Sequence, residues 1–231
     1  MKPKVVILLS AGLDSGTNLF AAHLANEIVL ALTFDYGQLA APKEIEKARK
    51  LAASLNIPHK VVDLSFIKTF GGSSLTDDQG RIPSGSDVDI ESHEKSLVTA
   101  KSVWVPNRNG IFLNIAAGFA EALGAEAVIP GFNKEEATTF PDNSYGFMEA
   151  LEASFKFSTA NQVKVKSYTH QMDKLGIVQE ALKLGVNFRD LWPCYKNRDK
   201  WCGECESCLR SKRAFEKAGV EHKDFYQSQP Q

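Results

Sequence analysis

Long hydrophobic runs are missing from this chain. No stretch of 18 apolar residues occurs in its 231 positions, so no membrane-spanning helix is expected. The first apolar run, Val5 to Leu9, is too short for the core of a secretion signal. Charge excess is missing as well: 27 basic against 28 acidic side chains leave a formal net charge of −1 and a pI of about 6.5. Nucleic-acid binders ordinarily carry a basic patch or a high pI, so no nucleic-acid partner is expected. Histidines number only five, without a ligand-spaced pair, and cysteine is absent before position 194. A secreted disulfide framework would spread its cysteines through the chain. These absences leave a cytoplasmic chain with enough apolar content for one good core.

What cysteine there is lies close together: Cys194, Cys202, Cys205 and Cys208. Four soft thiolates at this spacing, with Cys202-Gly203-Glu204-Cys205 in knuckle form, point to a metal. Structural zinc is expected, with an iron–sulfur centre, a redox dithiol and free buried thiols as competing readings. Four ligands leave no open coordination position, so such a zinc would hold structure rather than act on substrate.

The first half alternates strand and helix signals. Strands are expected over Lys4–Leu9, Ile28–Phe34 and Lys60–Leu64, with helices over Gly16–Asn26 and from Pro42 to Leu55. This order implies an α/β fold, a doubly wound and mostly parallel sheet. The first helix is expected to bury Leu19, Phe20, His23 and Leu24, with His23 as packing. From 70 to 102 the pattern weakens into Gly, Ser and Asp, which reads as a long loop, either a lid or an interface segment. Regular structure resumes with helices over Ile111–Leu123, Tyr145–Phe155, Lys174–Leu184 and Leu209–Ala218, and a strand over Glu126–Gly131. The organisation expected is an α/β domain over 1–190 and a small C-terminal zinc module over 191–231.

Between the first strand and its helix lies Ser10-Ala11-Gly12-Leu13-Asp14-Ser15. A small-residue turn there directs backbone N–H groups and two hydroxyls at one spot, a phosphate cradle. It lacks the lysine of a Walker A loop. The turn resembles the Ser-Gly-Gly-x-Asp-Ser loop of the ATP-pyrophosphatase superfamily, which cleaves ATP to AMP and pyrophosphate. Ala11 replaces the usual glycine; if that position needs a positive φ, alanine costs about 1 kcal/mol.

Further along, Phe34-Asp35-Tyr36-Gly37-Gln38, Val105-Pro106-Asn107-Arg108-Asn109 and Cys202-Gly203-Glu204-Cys205-Glu206-Ser207-Cys208-Leu209-Arg210 resemble, in order and spacing, the 7-cyano-7-deazaguanine synthase family. That resemblance implies a ligase converting 7-carboxy-7-deazaguanine and ammonia to a nitrile, with two ATP spent in sequence and Mg²⁺ as a cofactor beside zinc. It implies ATP contacts from Leu9, Ser10, Ala11, Gly12, Leu13, Asp14, Ser15 and the backbone of Phe34. Asp14 serves through Mg²⁺ or by fixing the turn, and Arg108 and Lys174 face the anionic groups. The competing readings are a surface ion pair for Arg108 and an exposed lysine for Lys174.

Substrate contacts are expected from Asn109, Glu136, Phe140 and Asp142. Glu136 suits the N–H edge of a guanine-like ring and Phe140 suits its face. Asp142 to Ser144 also reads as the cap of the next helix. The family's Cys-Arg pair is Asn143-Ser144 here, so the substrate carboxylate falls to Lys134 or Arg108, and a changed deazapurine substrate or an amide product stays open. The family is commonly a homodimer. Rival readings are a tRNA-modifying thiolase, which would want a basic surface and iron, and a degenerate nucleotide-binding protein without activity.

Overall fold

The computed structural model describes residues 1–77 and 81–227. Five parallel strands build the sheet: β1 (Lys4–Leu8), β2 (Glu27–Asp35), β3 (His59–Asp63), β4 (Ala127–Ile129) and β5 (Lys164–Val165), in the order β3-β2-β1-β4-β5. Seven α-helices flank them: α1 (Leu13–Ala25), α2 (Ala41–Ser54), α3 (His93–Val103), α4 (Arg108–Ala122), α5 (Tyr145–Ser158), α6 (Lys174–Lys183) and α7 (Glu206–Ala218). The chain winds outward from β1 to β3, then returns to the other side of β1 as β4 and β5. That reversal opens a crevice at the carboxyl ends of β1 and β4, where ligands of such sheets sit.

The central strands are apolar because both faces are covered: Val5, Val6, Ile7, Leu32, Val128 and Ile129 are all buried. On α4 the buried face includes Phe112, Leu113, Ala116, Ala117 and Ala120. The alanines on that face keep it narrow enough for the helix to lie close against the sheet.

Two expectations are corrected. On α1 the buried face carries Thr17, Asn18 and Leu19, whereas His23 and Leu24 are exposed. Polar groups are tolerated inside because each is satisfied: Thr17 Oγ1 donates to Leu13 O at 2.8 Å, and Asn18 Nδ2 donates to Asp14 O at 2.9 Å. The second correction concerns 70–102, which contains helix α3 and a 3-10 turn at Gly85–Asp87 rather than an uninterrupted loop. Positions 78–80 of that segment and 228–231 of the expected C-terminal module lie outside the described residues. The segment packs on α7: Glu91 pairs with Arg213 at 2.9 Å, Thr99 Oγ1 donates to Glu206 at 3.0 Å, and Ser84 bridges to Cys205.

Helix starts also differ. α4 begins at Arg108 rather than Ile111, and α7 at Glu206 rather than Leu209, which puts Arg108 and Cys208 on first turns. Strand β5, only two residues long, carries too little pattern to be read from sequence.

Candidate active site

After Leu9 the chain leaves the sheet in a tight turn. Gly12 N donates to Ser10 Oγ at 3.3 Å, and the Ser10 and Ser15 hydroxyls lie 3.1 Å apart. Ala11 turns the corner with φ of +59°, in the left-handed region. Its side chain is fully buried, and its carbonyl accepts from Trp192 N at 2.7 Å. The turn lies hard against the end of β4: a Cβ on Gly131 would stand 2.8 Å from Ser15 N, so only glycine permits the approach.

One cavity covers this turn and the ends of β2 and β4. Its walls include every expected ATP and substrate residue except Ala11: Leu9, Ser10, Gly12, Leu13, Asp14, Ser15, Phe34, Arg108, Asn109, Glu136, Phe140, Asp142 and Lys174. Ala11 instead faces the core. Lys134 is exposed and does not line the cavity, which leaves Arg108 as the member of that pair on its wall.

Lys174 is 3% exposed, so the exposed-lysine reading fails. Its Nζ lies 2.5 Å from Asp14 Oδ2 and 2.7 Å from Glu136 Oε1. An isolated buried ammonium would cost several kcal/mol; two carboxylates offset this and hold its pKa above the usual lysine range despite burial. Asp14 is pushed up as well, to about 6, because burial and the neighbouring Glu136 outweigh Lys174. Asn133 Nδ2 donates to the same Asp14 oxygen at 3.1 Å, while Asp14 Oδ1 is buried without a partner.

Arg108 sits opposite in charge logic. Its Nη1 reaches the Tyr36 hydroxyl and its Nε reaches Asn109 Oδ1, both at 3.4 Å, and the guanidinium lies over the Tyr36 ring. Among the described residues no carboxylate pairs with it. A half-buried cation lining a cavity with only neutral hydrogen-bond partners is chemically able to receive an anion.

The remaining expected residues frame the cavity. Phe34 stacks on Phe112 at 4.3 Å, and the Phe140 and Trp104 rings lie parallel with centroids 6.2 Å apart. Asn109 Nδ2 donates to Asp142 O at 3.4 Å, and Asp142 Oδ1 is buried without a partner. Ser144 caps α5 by accepting from Phe147 N at 3.1 Å, so the cap reading of this loop holds beside any contact with substrate.

Sequence reasoning missed Asn133 and Glu135. Asn133 orients Asp14 and accepts from Glu136 N at 2.8 Å. Glu135 accepts from the guanidinium groups of Arg210 and Arg213 and, at 3.3 Å, from Lys174 N. Arg210 is also paired with Glu206 at 2.7 Å. The Arg210–Glu135 pairing spans 75 residues and leaves no local signal.

The four cysteine sulfurs lie within 4.8 Å of one another, all buried, and could hold a metal ion. Cys202 and Cys208 sulfurs are 3.9 Å apart, too far for a disulfide. Backbone N–H groups of Cys202 and Cys205 donate to the Cys194 and Cys202 sulfurs at 3.4 and 3.3 Å.

Comparison with known proteins agrees with this geometry. A 7-cyano-7-deazaguanine synthase of Bdellovibrio bacteriovorus is 57% identical over 224 residues, spanning 96% of this chain and 97% of the relative. That of Pelotomaculum thermopropionicum is 44% identical over 216 residues, covering 94% and 98%. The Methanosarcina mazei synthase is 42% identical over 220 residues, covering 94% and 95%. The family described as Queuosine biosynthesis protein QueC matches residues 4–219, which takes in the phosphate turn, the cavity and all four cysteines, and this chain belongs to that family.

Proposed function

We propose that this chain is an ATP-dependent ligase converting 7-carboxy-7-deazaguanine and ammonia to 7-cyano-7-deazaguanine, within queuosine and archaeosine biosynthesis. Its two steps adenylate first the carboxylate, giving an amide, and then the amide oxygen, giving the nitrile. One observation carries the reading: the small-residue turn, the buried Lys174 and the carboxylate-free Arg108 all face a single cavity.

Adenylation brings a carboxylate up to a polyanion, so the site must offset repulsion and stabilise departing pyrophosphate. Ser10, Gly12 and Ser15 offer donors for the phosphates. Lys174, held cationic by its two carboxylates, faces the same turn. Arg108 receives the substrate carboxylate. Backbone at Phe34 takes adenine, while Phe140 lies along the deazapurine, with Glu136 and Asp142 as acceptors for its N–H edge. Glu136 has one oxygen committed to Lys174, which leaves the other for that task. Because Lys174 engages only Asp14 Oδ2, the unpartnered Oδ1 suits Mg²⁺, which when bound supplies charge to offset the phosphates.

The cysteine centre suits zinc. Four thiolates at about 2.3 Å from a tetrahedral ion stand roughly 3.8 Å apart, and the Cys202–Cys208 separation of 3.9 Å matches. No cysteine lines the cavity, so the metal would support structure, and no thiol is left there for sulfur transfer. The reading includes a homodimer in the cytoplasm; no helix of the described residues is long and apolar enough to cross a membrane.

The test is mass spectrometry of product formed from 7-carboxy-7-deazaguanine, ATP, Mg²⁺ and ammonium. A nitrile is expected. An amide alone revises the product, and unchanged acid overturns the reading.

A further inference from the structure

One carboxylate on the cavity wall has no task in the reading above. Glu44, in the first turn of α2, lines the cavity beside Tyr36, Gln38 and Arg108. One of its oxygens is fixed, because Oε2 accepts from Gln38 Nε2 at 2.8 Å. Gln38 is itself locked by backbone: its Nε2 also donates to Phe34 O at 3.1 Å, and its Oε1 accepts from Tyr36 N at 2.9 Å. A flipped amide would set oxygen against oxygen, so the donor must face Glu44. The second carboxylate oxygen, Oε1, has no hydrogen-bond partner among the described residues, and it is not sealed from the cavity. Arg108 of α4, together with Asp35 and Tyr36 at the end of β2, are the charged and titratable groups facing Glu44. None of them forms an ion pair with it.

This arrangement bears on the one substrate that still lacks a receptor. Near neutral pH ammonia is mostly ammonium, which has no lone pair to attack with. The site must therefore bind a small cation and take a proton from it. Asp14 and Glu136 are already committed to Lys174. We propose that Glu44, oriented by Gln38, is the ammonium subsite: its open carboxylate oxygen binds the cation and accepts one of its protons. The proposal rests on the ligase reading.

In balance, ammonium and the Glu44 carboxylate give ammonia and the carboxylic acid. The nitrogen lone pair then forms the C–N bond to the adenylated carboxylate, and the C–O bond to AMP breaks with its electron pair leaving on AMP. The surplus proton on nitrogen passes to water, and Glu44 returns its own proton to solvent. Burial raises the Glu44 carboxyl to about 7, against the hydrogen bond from Gln38 and the charge of Arg108, so it can take and release a proton at neutral pH.

The two halves of the reaction separate this subsite from every other. Acid to amide consumes ammonia; amide to nitrile consumes only ATP. For Glu44→Gln the KM for ammonium in the first half should rise about 10- to 100-fold, the loss of one charge-assisted bond. The KM for ATP should hold, and supplied amide should be turned to nitrile within about twofold of the wild-type rate, which also shows that the variant is folded. Raising the pH, which supplies free ammonia, should narrow the first-half defect. Glu44→Asp, which keeps a shorter carboxylate, should fall between the two.

Equal losses in both halves would assign Glu44 to ATP or the heterocycle and overturn the subsite. An unchanged ammonium KM would do the same. Wild-type protein that yields neither amide nor nitrile overturns the ligase reading itself, and the subsite with it.

Discussion

Lys174 Nζ stands 2.5 Å from Asp14 Oδ2, joining the first turn of α6 to the first turn of α1 across 160 residues of sequence. The contact brings to the small-residue turn a positive charge that the turn's own sequence lacks. A Walker A loop carries its lysine within the loop; here the cation comes from a distant helix.

Replacing Lys174 with Met should therefore do two things. Pyrophosphate release should fall by about 10²–10³ in kcat/KM for ATP, the loss of one preorganised donor at a developing charge. Stability should fall by about 3 kcal/mol, since two carboxylates are left facing each other in a poorly hydrated site. Steady-state pyrophosphate assays and urea unfolding check each part.

The Asp14 carboxyl, raised to about 6 from an ordinary 3.8, sets a pH dependence whose sign is fixed. A folded-state pKa above the unfolded one means that the native protein binds this proton more tightly. Asp14 therefore favours the folded state at low pH, and its contribution is lost as pH rises from about 4 through about 6. Phosphate-site chemistry needs the ionised form, so activity should rise over the same interval. Amide-to-nitrile turnover, which does not need ammonia, should show an acid limb near pH 6, and Asp14→Asn should abolish that limb together with most turnover.

Ala11 gives a sharper test of backbone strain. An alanine at φ of +59° costs about 1–2 kcal/mol. Glycine would relieve this, but it adds about 0.4–1 kcal/mol of chain entropy and gives up a buried methyl worth about 0.8 kcal/mol. Ala11→Gly should thus change stability by less than about 1 kcal/mol. The methyl faces the core rather than the cavity, so the KM for ATP should move less than about twofold. Ala11→Val, by contrast, adds bulk in a full core at a forbidden φ and should cost about 2–4 kcal/mol. Thermal melts of the three proteins decide.

A metal at the cysteine centre, as proposed above, should be felt in the cavity when it is removed. Chelation under reducing conditions, or Cys205→Ser, should lower Tm by about 8–16 °C, taking a loss of roughly 4 kcal/mol at 2–4 °C per kcal/mol for a chain of this size. ATP turnover should fall with it, because Glu206 and Arg210 of α7 link the cysteine turn to Glu135 and thence to Lys174 N. Metal content, melting and pyrophosphate release measured on one preparation check the linkage.

Much of this arrangement could be read from the sequence, and the parts that could not share a cause. The turn and the cysteine set each sit in a local signature of spacing, whereas Arg108 and Lys174 stood out only through the family resemblance. Helix α3 did not show because its pattern is inverted: Leu97 and Val98 are exposed while Ser96 and Thr99 are buried. Thr99 tolerates burial because its hydroxyl donates to Glu206 of α7, a partner far along the chain. His23 failed the same way in reverse, an apolar-looking face that the sheet does not cover. Glu44, Asn133 and Glu135 take their meaning from groups brought near by folding, which spacing along the chain does not record. Ala11 was legible as a question, and its torsion answers it: the strained conformation is kept and the methyl is turned inward.

The bond from Arg210 to Glu135 carries one more consequence. Glu135 also accepts from Lys174 N, so a single carboxylate ties the final helix to the backbone that begins α6. Local opening of α7 therefore frees that backbone while the sheet stays intact, and amide exchange at the start of α6 is bound to the opening of a helix that never touches the small-residue turn.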